Sequence, residues 1–146
     1  MFKTIVVAVD GSDHARNAID IGSDLAQKYD ARLLILSVYR RVSGVQSTQT
    51  QAEGLQGLSQ PSSVLRGIAQ HAVDEAVARA QERGASAEGS IKPGQPARSI
   101  VEFAKEQGAD AIILGSRGLG DIGGFLLGSV SHKVSGLAEC TVITVK

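Results

Sequence analysis

The sequence predicts a doubly wound α/β domain, one parallel sheet of about five strands flanked by about four helices. Three observations carry this. Short β-branched apolar runs at 3–9 (KTIVVAV), 32–38 (RLLILSV) and 111–114 (AIIL) lack polar alternation, as expected of strands buried on both faces. The stretches between them place apolar residues at helical spacing. The chain has 146 residues, the length of one domain, with no internal repeat and no linker that would divide it.

Each element follows in order. The first strand stops at Asp10-Gly11-Ser12, a turn signal. From Asp13 onward Ala15, Ala18, Ile19, Gly22, Leu25, Ala26 and Tyr29 share one helical face, and Ser12 or Asp13 can cap that helix. Asp30 precedes the second strand. Residues 40–63 are rich in Gln, Ser, Thr and Gly and read as a long loop, led by Arg40-Arg41 as a solvated face. A second helix spans 62–83, with Val64, Ile68, Ala72, Ala76 and Ala80 as its apolar stripe and Gly84 at its end. Residues 85–91 (ASAEGSI) form a polar strand suited to a sheet edge, and Pro93-Gly94-Gln95-Pro96 a turn. A third helix covers 97–107, with Ile100, Val101, Phe103 and Ala104 inward. The fourth strand ends at Gly115, and a Gly-rich segment runs to Gly128. The last helix at 129–137 and the last strand at 141–145 (TVITV) complete the domain.

Composition excludes several functions. Lys and Arg number 15 against 15 Asp and Glu, so the chain lacks the basic excess of a duplex nucleic-acid binder. Aromatic residues are 3% with no Trp, too few for a platform that stacks single-stranded bases. Cys140 is the only cysteine, which excludes an internal disulfide and a thiolate cluster; it reads as a small buried hydrophobe. No apolar run is long enough to span a membrane, and the start reads as a strand rather than a signal peptide, so a cytoplasmic location is expected. His14, His71 and His132 have no ligand spacing to one another and read as surface or helix residues.

In an open parallel sheet, ligands bind beyond the carboxyl ends of the strands where strand order reverses. With order 3-2-1-4-5, the loops after strands 1 and 4 meet at that crevice. The second loop reads GSRGLGDIGGFLLGS and holds six of the chain's 17 glycines. Its bare backbone can turn N–H groups toward an anion, and Gly128-Ser129 opens a helix whose first amides lack internal partners. The helix dipole and the Ser129 hydroxyl add to a phosphate site. No Lys lies inside the loop, and Lys133 is a turn into the helix, so a Lys-bearing phosphate loop is absent. A literal GxGxxG at Gly118–Gly123 lacks the following βαβ context and its acidic residue, and reads as coincidence. Asp10 suits ribose hydroxyls or a magnesium ion held mainly by phosphates, and also suits a turn or helix cap. Arg117 can pair with phosphate or with solvent.

The spacing Gly115-x2-Gly118-x9-Gly128-Ser129 resembles the Gly-x2-Gly-x9-Gly-Ser/Thr pattern of ATP-binding universal stress proteins. VVAVDGS, LLILSV, GQPARSIVEFA, GADAIILGSRG and LLGSVSHKV are also similar to signatures of that family. The resemblance covers nearly all of the chain outside 40–63. Glu139-Cys140-Thr141 stands where family members often carry Pro-Cys-Pro. The resemblance implies that Asp10 contacts the ribose or phosphate region and that Ala8 and Val38 meet the adenine or ribose end, partly through backbone. It implies that Leu114, Gly115 and Gly118 line ribose and phosphates, and that Gly128, Ser129 and Val130 bind phosphates. ATP with Mg2+ is the cofactor it implies, and a homodimer through the last strand, with Val142 and Val145 in or near the interface, is the assembly. The function expected is nucleotide-dependent regulation of assembly or of a client protein, such as a transporter or metabolic enzyme. A slow ATPase and a nucleotide-free interaction module stay open beside it; no base is placed to orient a water, so turnover is expected to be very slow or absent.

Overall fold

A computed structural model describes residues 1–41, 61–118 and 127–146. In chain order the described elements are β1 (Thr4–Ala8), α1 (Asp13–Tyr29), β2 (Arg32–Tyr39), α2 (Pro61–Glu82), β3 (Ala87–Pro93), α3 (Pro96–Glu106), β4 (Ala111–Gly115), α4 (Ser129–Leu137) and β5 (Thr141–Val145). The five strands form one sheet in the order β3-β2-β1-β4-β5, and every pairing is parallel. The doubly wound fold is as the apolar runs predict.

Those runs are buried on both faces because alternate side chains serve two cores. Ile5, Val7 and Val9 join Leu33, Ile35 and Ile113 beneath α1 and α2. Val6 and Ala8 join Leu34, Leu36, Ile112 and Leu114 beneath α3 and α4. The chain therefore covers one face with its first two helices and the other with its last two. It changes direction at β1, between β2 and β4.

Local signals set the element ends. The Ser12 side chain accepts from Ala15 N at 3.2 Å and caps α1. Asp30 closes α1 in the left-handed conformation, φ 52°, and its amide bonds back to the helix end. At the amino ends of β1 and β4, Asp110 Oδ2 accepts from the Lys3 and Thr4 amides at 2.7 and 2.9 Å. This fixes the start of two central strands with one carboxylate. Arg79 forks onto Asp20 with two bonds of 2.7 Å, tying α2 to α1; that hydrogen bond and charge lower the Asp20 pKa below the usual carboxylate range despite partial burial.

Two expectations need correction. Val64 and Ile68 do not continue the buried stripe of α2; they are 58% and 54% exposed, whereas Ala69, Ala72, Val73, Ala76 and Ala80 are buried. A strict i, i+4 series drifts about 40° per step around a helix of 3.6 residues per turn, so it leaves the core within two turns. The third strand runs through Pro93, two residues past the expected end. Pro93 pairs opposite Tyr39 at the end of an edge strand, where a missing N–H is tolerated. The expected loop 40–63 falls mostly on residues outside the description, and its last part is already the start of α2.

Candidate functional site

A cleft of about 380 Å³ opens at the carboxyl ends of β1, β2 and β4. Its volume lies in the range of small-molecule sites. Of the residues singled out from sequence, Ala8, Asp10, Val38, Leu114, Gly115, Gly118, Ser129 and Val130 line it. Gly128 does not. It is buried behind the lining, where its amide donates to the Ser116 carbonyl and its own carbonyl accepts from His132 N at 3.0 Å. It therefore anchors the start of α4, while Ser129 and Val130 face the opening.

One end of the cleft is apolar. Ala8, Leu36, Val38 and Leu114 form its floor, and Pro96 and Ile100 of α3 its wall. The backbone adds a recognition edge here. In a parallel ladder, each residue turns its N–H and C=O to one side, and successive residues alternate. The Leu36 carbonyl accepts from Val9 N on the β1 side, and the Tyr39 carbonyl accepts from Gly94 N on the β3 side. The amide and carbonyl of Val38 thus face the β1 side, past the last β1–β2 pair, Ala8 with Leu36. A donor and an acceptor from one residue stand side by side at the apolar end.

The other end is built for negative charge. Side chains cap α1 and α3: Ser12 accepts from Ala15 N, and Gln95 Oε1 accepts from Arg98 N at 2.7 Å. The N-cap of α4 is Gly128, which makes no side-chain cap. Helix geometry leaves the amides of Ser129, Val130 and Ser131 with no carbonyl inside the helix, and the dipole gives them partial positive charge. Arg40 and Arg117 also line the cleft. Neither is ion-paired to a described residue. Arg40 is exposed, as read from sequence, and stands at the cleft as well. Among the described residues, Asp10 is the one carboxylate in the lining; its Oδ1 accepts from Ser12 N at 2.9 Å, which holds the turn after β1.

Two residues that sequence reasoning passed over, Ser116 and Ser131, hold these parts together with His14, which it read as a surface or helix residue. Ser116 is 3% exposed. Its amide donates to Val145 O of β5, and its carbonyl accepts from Gly128 N and, at 2.8 Å, from Ser131 Oγ. Its hydroxyl lies 3.1 Å from His14 Nδ1, which also accepts from Arg117 N at 3.3 Å. The starts of α1 and α4 and the end of β5 therefore converge on Ser116. Gly115 takes part through packing: a Cβ there would lie 2.7 Å from His14 Cβ and 2.9 Å from the His14 carbonyl carbon. Its glycine is required by α1, not by the open space of the cleft.

The remaining candidates lie elsewhere. Lys133 and His132 are exposed on α4. His71 pairs with Glu75 at 3.6 Å on the surface of α2. Cys140 is half-buried against the α3–α4 core, and burial pushes its thiol pKa up. Among the described residues, no group of three or more His, Cys, Asp and Glu could hold a metal. No described helix is long and apolar enough to cross a membrane.

Fold and site define a doubly wound α/β protein with a ligand cleft at its topological switch point, apolar at one end and anion-seeking at the other. Residues 1–146 match the Universal stress protein family, and the chain belongs to that family. It is 35% identical over 148 aligned residues to universal stress protein YxiE of Bacillus subtilis, with all of both chains covered. Among solved structures it is similar to a universal stress protein in complex with cAMP, at 32% identity and a TM-score of 0.73, covering 99% of this chain and 97% of that one. It is also similar to the Archaeoglobus fulgidus universal stress protein in complex with dAMP, at 26% identity and a TM-score of 0.72, covering 99% and 98%.

Proposed function

We propose that this chain is a cytoplasmic regulatory protein that binds ATP in the switch-point cleft. The observation that carries this is the uncapped start of α4 at the polar end, opposite an apolar end edged by the Val38 backbone. The relatives crystallised with cAMP and dAMP support an adenine nucleotide as the ligand class. Val38 would offer its amide and carbonyl to the donor–acceptor edge of the base, and Ile100 and Leu36 would cover its faces. Asp10 would accept from ribose hydroxyls. The amides of Ser129 and Val130, with Arg117 and Arg40, would hold phosphate oxygens. Mg2+ would be carried mainly by those oxygens, consistent with a single carboxylate among the described residues of the lining.

That carboxylate already accepts from Ser12 N, and among the described residues no second carboxylate lines the cleft. Such a site holds nucleotide rather than turning it over, and regulation is the use that fits. Assembly is one quantity it would control. β5 is an edge strand, and because the Val145 carbonyl faces Ser116, alternation leaves the amides and carbonyls of Val142 and Thr144 facing outward. A second copy pairing there would form a closed two-fold dimer, and an unidentified protein client would read the nucleotide state.

Calorimetric titration with ATP and Mg2+ of the wild type and of Val130→Asp tests the reading. A carboxylate in the first turn suits the helix dipole but places negative charge where phosphate would sit. Binding by the wild type and loss of binding by the variant is the expected result; equal affinities refute the assignment.

A further inference from the structure

His14 lies outside the lining of the cleft, yet two residues of the loop that forms its wall converge on one ring atom. Nδ1 is 3.1 Å from Ser116 Oγ and 3.3 Å from Arg117 N. A backbone amide can only donate, so the Arg117 contact requires Nδ1 to be the unprotonated nitrogen. The approach is possible because Gly115 has no Cβ, which lets the first turn of α1 sit directly against the end of β4. Gly115, Arg117 and Gly118 all line the cleft, and Ser116 between them is buried. The ring therefore fixes the middle of a segment whose Gly115, Arg117 and Gly118 line the cleft.

We infer that His14 is a positioning residue for the cleft: its Nδ1 acceptor sets the backbone at Ser116 and Arg117, and so presents Arg117 and Gly118 to the phosphates. The inference rests on the nucleotide reading above. Without the acceptor, the Arg117 amide loses its partner and the segment is no longer held against α1. The effect falls on affinity more than on folding, because Ser116 keeps its bonds to Val145, Gly128 and Ser131.

The test uses three variants of the full chain. His14→Leu removes the acceptor. His14→Asn places Oδ1 at the same number of bonds from Cα as Nδ1. His14→Gln keeps a polar side chain but moves its amide one bond further out, and stands in should the Leu variant not fold. ATP affinity is measured by calorimetry, and amide hydrogen exchange at Arg117 is measured without nucleotide. Leu and Gln should weaken ATP binding about tenfold, the loss of one hydrogen bond to a site for a charged ligand, and speed exchange at Arg117. Asn should hold affinity within about twofold and keep Arg117 protected. Wild-type affinity in both Leu and Gln variants, or an Asn variant as weak as they are, overturns the inference alone. A wild type that binds no ATP overturns it together with the nucleotide reading.

Discussion

Replacing Ser129 with proline separates binding from folding at the point where the nucleotide reading is most exposed. Ser129 is the first residue of α4, and Gly128 before it has φ −69° and ψ 167°. That extended conformation is the one a residue preceding proline adopts, and proline is favoured at the first helical position because its missing N–H has no helical acceptor there. Ser129→Pro should therefore leave the unliganded melting temperature within about 2 °C of wild type. The bound state is different. The substitution removes one amide and one hydroxyl from an anion site, and a hydrogen bond to a charged group contributes about 1.5–3 kcal/mol. Losing one such bond raises Kd about 10- to 150-fold. Ser129→Ala, which keeps the amide, should fall between the two. Calorimetry with ATP and Mg2+, beside thermal melts without nucleotide, measures both sides. A proline variant that melts like wild type and binds ATP equally well would refute the role given to the start of α4.

Other outcomes follow from the same geometry. Gly115→Ala drives a Cβ into the α1 backbone; overpacking of about 1–3 kcal/mol, with an unfolding entropy near 0.3 kcal/mol/K for a chain of this length, lowers Tm by about 3–10 °C. A melt unchanged from wild type would contradict the packing role. The Asp110 pKa lies below the usual carboxylate range because the Thr4 and Lys3 amides donate to it. Its stabilisation is therefore present above about pH 4 and lost as pH falls through the folded pKa. The Tm gap between wild type and Asp110→Asn should be widest near neutral pH and close in acid; a gap that widens in acid would contradict it. Thr144→Pro removes an outward-facing N–H without touching the β4–β5 ladder, so sedimentation should show monomers with an unchanged circular dichroism spectrum. A variant that sediments as a dimer would place the interface elsewhere.

The parts of the fold that were legible in the sequence are those where one physical requirement dominates. β1, β2 and β4 announce themselves because strands covered on both faces admit no polar alternation. α3 does so because Ala97, Ile100, Phe103 and Ala104 keep strict helical spacing and are all buried. α2 misled because its Ala-rich surface offers several stripes, and the one with regular i, i+4 spacing winds away from the sheet. At the cleft, the glycine spacing pointed to a segment whose Gly115 and Gly118 line it, but not to the reason for each glycine. Gly115 answers to His14 and Gly128 to Ser116, contacts across 101 and 12 residues of chain that spacing alone does not reveal. Arg40 is solvated, as read; that it also stands at the cleft follows from β2 outrunning β1, which nothing in its neighbours signals. Ser116 and Ser131 carry no sequence signal beyond being small and polar beside a glycine.

The most direct measurement is an amide-resolved NMR titration of the labelled protein with ATP and Mg2+. A second depression, lined by Ile19 and Arg16 of α1 and Ala72, Ala76 and Arg79 of α2, forms a groove between those helices. The account predicts saturable shifts at Val38, at Ser129 and Val130, and from Gly115 to Gly118, with that groove silent. Shifts centred on that groove, or none at Val38 and Ser129 at saturating nucleotide, would contradict it.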